Sequence, residues 1–510
     1  MTTDRLESPL GFEENDSKDL NYSVDARDAA NGFDSPTLLN NPHQKEEMSF
    51  DDPMQDPLNS LAPNTYSKVF DRNGHEITLY PLNYQTHRVV VYQIISCLVI
   101  FTILGLNDQS TGSLIPVLTE HYNVSHVQVS NIFLVQTFGY ATSSLMNDKL
   151  HRMFGQRGVL ILGSLFLGLC TFCLSLKVKW FSLYVLFYYP IGVSIGLVDS
   201  VVNVFFGSLQ IHKNELLGLV HSIYGCFSFI TPIIVNRCGK EHWNRFFYIP
   251  CVLGLTGALL SIPSFRLETK EKYIYLCDEK DVVENQESDQ LATTSEETNS
   301  SIFKLFKEQP VVPLYAIYLF FYLGTEVGTG SWIFTYLLEV KQGAARGMAY
   351  ITASYWAGLT FGRLYFGIMT KKWFPNEYQA SRFYGNVTFL FNLMFVLFGF
   401  IPQNSNFYFV LLSCCVFMAG MWIGPLFPLA SVVALDVLPK RLHISGVSAA
   451  ISLGSTGGAI LPWIFGVIMQ QIGIKAFPCL VLGTNAIFQL VWLLYPKFVK
   501  NKQNVFYDRT

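Results

Sequence analysis

Three carboxylates stand where a charge is costly. Asp108 sits in "GLNDQSTGSLIPVL" (105–118), Asp199 in "GLVDSVVNVFFGSL" (196–209) and Glu326 in "FYLGTEVGTGSWIFTYLL" (321–338). Each interrupts a long apolar run. A charged side chain at bilayer depth costs about 2.5–3.5 kcal/mol on insertion scales, so such groups face a bundle interior or a watery cavity. Low dielectric favours the neutral form of a carboxyl group and brings protonation within reach of physiological pH. A carboxyl group that is neutral when one face of the membrane is open and ionised when the other is open can couple proton flow to solute movement. The competing reading is structural, with each carboxyl hydrogen-bonded between helices. His221, in "LVHSIYG", could relay protons or bind hydroxyl groups, or be a buried histidine satisfied by a neighbour. Flat aromatic faces with amide partners suit sugar rings. Trp332, Tyr336, Tyr355, Trp356 and Trp422, with Asn107, Gln136 and Asn203, could supply both.

The elements that carry these residues follow from composition. Of 510 residues, 50% are hydrophobic, 15% aromatic and only 14% charged, which fits a chain whose solvent is a bilayer. Apolar runs of about 20 residues cross ~30 Å of hydrocarbon. They fall near 90–118, 126–147, 157–176, 182–207, 216–236, 246–264, 311–337, 348–370, 383–401, 407–435, 442–469 and 473–496. The fold class is thus an all-α membrane protein of about twelve spans in two sets of six. A β-barrel would show alternation instead of continuous runs such as "VLILGSLFLGLCTFCLSL".

The domain reading is a disordered tail over 1–88, acidic and without apolar period, and a first bundle over 89–265. A polar linker over 266–309 and a second bundle over 310–496 follow, then a tail over 497–510. No cleavable signal peptide precedes the first span. Lys and Arg in the linker, both tails and the inner turns place both termini in the cytosol. Asn123-Val124-Ser125 is a glycosylation acceptor pattern in the first outer loop, and most of the ten cysteines fall inside spans as small packing residues. The acidic dileucine pattern Asp34 to Leu39 suits a vacuolar or endosomal membrane, the plasma membrane being the alternative.

Internal repetition organises the carboxylates. A shift of 218 residues lays 107–115 on 325–333, pairing Asp108 with Glu326, Thr111 with Thr329, Gly112 with Gly330 and Ser113 with Ser331. Nearby shifts lay Gly192 and Gly196 on Gly420 and Gly424. A duplicated six-helix bundle follows. Glycines 105, 112, 324, 328 and 330 permit close helix approach in matching places.

Two six-helix halves joined by a linker are the layout of the major facilitator superfamily. The stretches quoted above, with "LLGLVHSIYGCFSFITPIIV", "YWAGLTFGRLYFG" and "GMWIGPLFPLA", resemble fungal members of its fucose-permease-like, fucose:proton symporter branch over about 89–496. The resemblance implies that Asp108 and Asp199 serve proton coupling and sugar binding. The superfamily's loop motif between the second and third helices is only partly kept in "NDKLHRMFGQR". Arg152, Gly155 and Arg157 fit, whereas His151 stands where Asp is expected. Arg152, Arg157 and, in the second half, Arg363 are therefore read as gating or interfacial residues.

The expectation is a secondary transporter of a small polar solute, a sugar by preference, using proton symport and alternating access. Its partners would be solute, proton and lipid bilayer, with no nucleic acid, and it would act as a monomer. A proton-independent facilitator and a nutrient sensor signalling through its tails are the alternatives. No Walker motif, HExxH or paired Cys-x-x-Cys is present, so no cofactor, metal or enzymatic activity is expected.

Overall fold

The computed structural model describes residues 66–70, 74–277, 310–401, 405–438, 450–451 and 453–499. The helices are α1 (Arg88–Tyr122), α2 (His126–Ser175), α3 (Phe181–Leu186), α4 (Tyr188–Gly207), α5 (Lys213–Cys238) and α6 (Tyr248–Ser264) in the first half. The second half holds α7 (Val311–Glu339), α8 (Ala345–Trp373), α9 (Glu377–Phe400), α10 (Asn406–Ile423), α11 (Leu426–Val437), α12 (Gly457–Ile472) and α13 (Phe477–Leu494). Among the described residues ten helical segments are long and apolar enough to cross a membrane. One of them, α2, holds two spans, because Gly155 at φ 67°, ψ 175° breaks it. The 29-residue α8 is also long enough, but its Gly, Ser, Thr and Tyr content and Arg363 make it less apolar. Twelve crossings result, six in each half.

Local chemistry sets the turns. Asn123, in the left-handed region at φ 50°, closes α1. Ser125 then caps α2 through a reciprocal capping box with Gln128. Asn376 caps α9 by accepting from the Gln379 amide at 2.8 Å.

The internal repeat is visible as packing. A Cβ on Gly192 would collide with the Gln136 carbonyl oxygen, and one on Gly420 would collide with that of Tyr355. Gly139 likewise meets Tyr189 of α4, and Gly358 meets Phe417 of α10. The α2/α4 crossing and the α8/α10 crossing are copies of one another, each requiring backbones too close for side chains.

Two boundaries differ from the sequence reading. The tail read as disordered to residue 88 is folded at its membrane-proximal end. Strands β1 (Ser67–Phe70) and β2 (Glu76–Leu79) pair antiparallel, and Tyr80, Leu82 and His87 are buried. Residues 1–65 lie outside the described residues. The stretch read as linker from 266 begins with structure, a short helix over 270–277, and its remainder to 309 lies outside the described residues. These two segments meet. Tyr80 Oη donates to Glu268 at 2.6 Å, and Lys272 Nζ donates to the same carboxylate oxygen at 2.7 Å. Lys272 also lies 4.3 Å over the Tyr80 ring. Burial, with Glu268 beside it, holds the Tyr80 phenol well above its ordinary pKa. The buried pair explains why polar sequence folds here: each charge finds its partner inside the contact, as desolvation demands. Gly155 completes it, since a Cβ there would fall 2.5 Å from the Thr269 carbonyl carbon.

Candidate functional site

Asp108 sits half-buried in the middle of α1 and is held by three uncharged donors. Asn107 Nδ2 and Gln136 Nε2 reach Oδ1 at 3.2 and 3.1 Å, and Tyr224 Oη of α5 reaches Oδ2 at 3.1 Å. Asn107 also donates to Gln136 Oε1 at 3.2 Å, which fixes the amide that faces the carboxylate. No Lys or Arg among the described residues pairs with Asp108.

Asp199 on α4 is built in the same manner. Asn203, one turn later, donates to Oδ1 at 2.8 Å, and Tyr140 Oη of α2 donates to Oδ2 at 2.8 Å. Tyr140 is 38% exposed in spite of its mid-span place, so this carboxylate borders open space. Asp199 and Asp108 interact electrostatically within the first half.

Glu326 on α7 is different. It is buried, and Arg363 of α8 forms a forked pair with it, Nη2 lying 2.8 Å from Oε1 and 3.1 Å from Oε2. Tyr322 Oη donates to Oε2 at 2.5 Å, and Arg363 Nε reaches the Gly424 carbonyl at 3.3 Å. This corrects the reading of Arg363 as a gate or interfacial anchor: the guanidinium is turned into the bundle, where a buried carboxylate requires a counter-charge. The signal was present, since an arginine ten residues from the end of α8 is too deep to reach the interface easily.

The aromatic candidates divide. Trp356 lies in the central region, 2% exposed, its ring centroid 6.3 Å from Tyr224 across the halves, and its Nε1 is buried without a protein partner. Tyr355 donates to the Glu326 carbonyl at 3.2 Å. Trp332, Tyr336 and Trp422 are packing residues, which corrects their placement in the binding set. Trp332 donates to the Pro462 carbonyl at 2.8 Å, Tyr336 packs between Phe395 and Phe477, and Trp422 stacks on Phe366 at 4.5 Å. His221 contacts Phe101 edge-on at 5.6 Å and interacts electrostatically with Arg363.

Arg152 pairs with Asp148 at 2.9 Å on the surface, and the Arg157 amide donates to the Glu268 carbonyl at 3.2 Å. Both lie at the turn between the second and third crossings, against the segment after α6. Asn123 is exposed at the α1–α2 turn. The sequence reading missed Tyr224 and Tyr140, because a tyrosine in an apolar run carries no sign of which carboxylate it will meet.

The halves pack at mid-span where α5 meets α8, and they are hydrogen-bonded to each other on one side. Among the described residues, the hydrogen bonds that join them all lie in the half of the membrane nearest Asn123. Gln109 Nε2 donates to the Gly330 carbonyl at 3.0 Å, and Trp463 Nε1 donates to Asn131 at 3.0 Å. The Val127 amide donates to Gln470 at 3.3 Å, and His126 meets Glu339 at 3.1 Å. A Cβ on Gly112 would fall 2.5 Å from Ser331 Cα. The repeated Thr-Gly-Ser of α1 and α7 is thus itself a close backbone contact between the halves, with the Asn123 side shut.

The sequence profile of the Major Facilitator Superfamily matches residues 97–462. The chain belongs to that superfamily. It is 45% identical over 460 residues to Bypass of stop codon protein 6 of Saccharomyces cerevisiae, covering 88% of this chain and 91% of that one. It is 20% identical over 377 residues to the glucose/mannose transporter GlcP of Bacillus subtilis, covering 73% and 86%. Its fold matches the crystal structure of a D-xylose-proton symporter with a TM-score of 0.63 at 10% identity, covering 81% of this chain and 99% of that one. The crystal structure of a mutant of the nucleoside transporter NupG matches with a TM-score of 0.60 at 12% identity, covering 80% and 100%. Membership in the Major Facilitator Superfamily makes this a multi-pass integral membrane transporter and not an enzyme.

Proposed function

We propose that this transporter moves a small polar solute, a sugar by preference, by proton symport through alternating access, with Asp108 as the proton site and Asp199 as a second carboxyl group for proton or solute hydroxyls. The observation that carries this reading is that Asp108 has three neutral donors and, among the described residues, no cation paired with it. Such a carboxyl can take up a proton when one donor yields, with no charge left uncompensated, whereas protonating a carboxylate forked to arginine strands the guanidinium charge. The names of the relatives, a glucose/mannose transporter and a D-xylose-proton symporter, support the solute class and the coupling. The motif resemblance to the fucose-permease-like branch points the same way. In this reading both termini are cytosolic, the segment between the halves is a cytosolic linker, and the structure is an inward-facing state with its Asn123 side closed. Asn107, Gln136, Asn203, His221 and Trp356 complete the binding set, and Glu326 with Arg363 braces the second half.

The test is uptake by purified protein in liposomes, with labelled hexoses, fucose-like sugars and other polar nutrients, with and without an imposed pH gradient. Wild type is expected to accumulate one of these solutes with the gradient, and Asp108→Asn to exchange it without accumulating it. Equilibration that ignores the gradient would make the protein a facilitator and remove the proton from the account.

A further inference from the structure

Of the three donors on Asp108, Tyr224 is set apart by what its other side touches. The side chains of Asn107 and Gln136, on α1 and α2, bond each other and Asp108. Tyr224 lies where α5 meets α8 of the other half. Its ring faces Trp356 edge-on at 6.3 Å, and a Cβ on the next residue, Gly225, would collide with Thr360 Oγ1. Tyr224 interacts electrostatically with Asp108, Glu326 and Arg363. One half-buried phenol therefore touches the carboxyl of Asp108 with its hydroxyl and an aromatic wall of the second half with its ring.

We infer that Tyr224 is the positioning residue that ties the proton on Asp108 to the contact between the halves, an inference that rests on the symport reading above. A hydrogen bond to an ionised acceptor is about twice as strong as one between neutral groups. While Asp108 is ionised, the hydroxyl is held at Oδ2 and the ring is held against Trp356. When a proton from solution binds Asp108, the bond weakens and the ring is released, so that α5 is freed to move against α8. The phenol keeps its own proton throughout. The titratable and charged groups that surround this pair are Tyr140 on α2, Asp199 on α4, His221 on α5, Glu326 on α7 and Arg363 on α8, and Glu326 and Arg363 neutralise one another.

The test reads conformation, not transport, so that no solute need be known. Ser130 is buried beneath Gly466 in the closed contact, and a Ser130→Cys probe in a background without other cysteines reacts with a thiol reagent only when the Asn123 side opens. Labelling of the full-length protein in liposomes is followed against pH. Wild type is expected to show a sigmoidal profile, and Asp108→Asn a flat one. Tyr224→Phe removes one donor from the charged form and should move the midpoint to higher pH by about one unit. Trp356→Phe, which leaves the hydroxyl bond but shrinks the contact across the halves, should flatten the profile without moving its midpoint. It keeps the test decisive if Tyr224→Phe does not fold. A sigmoidal wild-type profile that neither substitution alters overturns the inference. A flat wild-type profile overturns the symport reading itself.

Discussion

Asp108 and Glu326 are the same residue in two copies of one bundle, and they have been given opposite surroundings. The shift that lays Gly139 on Gly358, both packed on the fourth helix of their half, lays Ser144 on Arg363. Where the second half supplies a guanidinium, the first supplies a hydroxyl, and that hydroxyl is turned to the Tyr140 carbonyl at 3.3 Å. The shift that lays Gly196 on Gly424 lays Asp199 on Phe427. The first half therefore has two carboxyl groups and no cation among the described residues near them, and the second has one carboxylate with its counter-charge beside an apolar ring. Duplication supplied two similar frames, and a few side chains gave one carboxyl neutral donors and the other a guanidinium. A buried carboxylate paired with arginine is held ionised, while one among neutral donors is free to exchange a proton.

The largest effect is expected from breaking the brace. Arg363→Met leaves Glu326 buried and unpaired, at a cost of about 3–5 kcal/mol, and thermal unfolding in detergent should show it as a large loss of folded protein. Adding Glu326→Gln to it should restore most of the stability. Asp108→Asn should cost about 1 kcal/mol or less, since an amide oxygen still accepts from its donors. Equal losses at the two positions would erase the contrast.

Gly112 and Gly330 sharpen it sterically. Both come from the repeated Thr-Gly-Ser, but Gly112 faces the Ser331 backbone and Gly330 the Trp356 ring. A backbone cannot yield, so Gly112→Val should disfavour the closed Asn123 side by about 1–3 kcal/mol and raise labelling of the Ser130→Cys probe at every pH.

A smaller and more pointed change is Ser144→Arg, which offers Asp108 the partner that Glu326 has. It should lower gradient-driven accumulation about tenfold, the equivalent of one unit in proton affinity, while thermal stability is kept. Unchanged accumulation would show that the missing guanidinium is not what sets Asp108 apart.

How much of this was legible in the sequence varies by residue. The carboxylates were, because Asp108, Asp199 and Glu326 break apolar runs, and the twelve crossings were, because each run is long enough to span. Asn107, Gln136 and Asn203 stood out as amide partners for a sugar, and the structure turns all three onto the carboxylates. What could not be read was direction. Trp332, Tyr336 and Trp422 have the composition of a binding wall and the orientation of packing, and Arg363 was placed at a helix end when its side chain turns inward. The folded ends of the tail and linker were hidden for another reason: Glu268 and Lys272 look solvated until Tyr80, almost 190 residues earlier, closes over them.

The central claim is that the first half carries the exchangeable proton. Infrared difference spectra of the protein in liposomes, recorded between acid and neutral pH, observe the carboxylic acid C=O stretch directly. The expected result is an acid-induced band that loses intensity in Asp108→Asn, loses more in Asp108→Asn/Asp199→Asn and survives intact in Glu326→Gln/Arg363→Gln. A band that survives both aspartate substitutions and disappears with the Glu326 and Arg363 pair would contradict it.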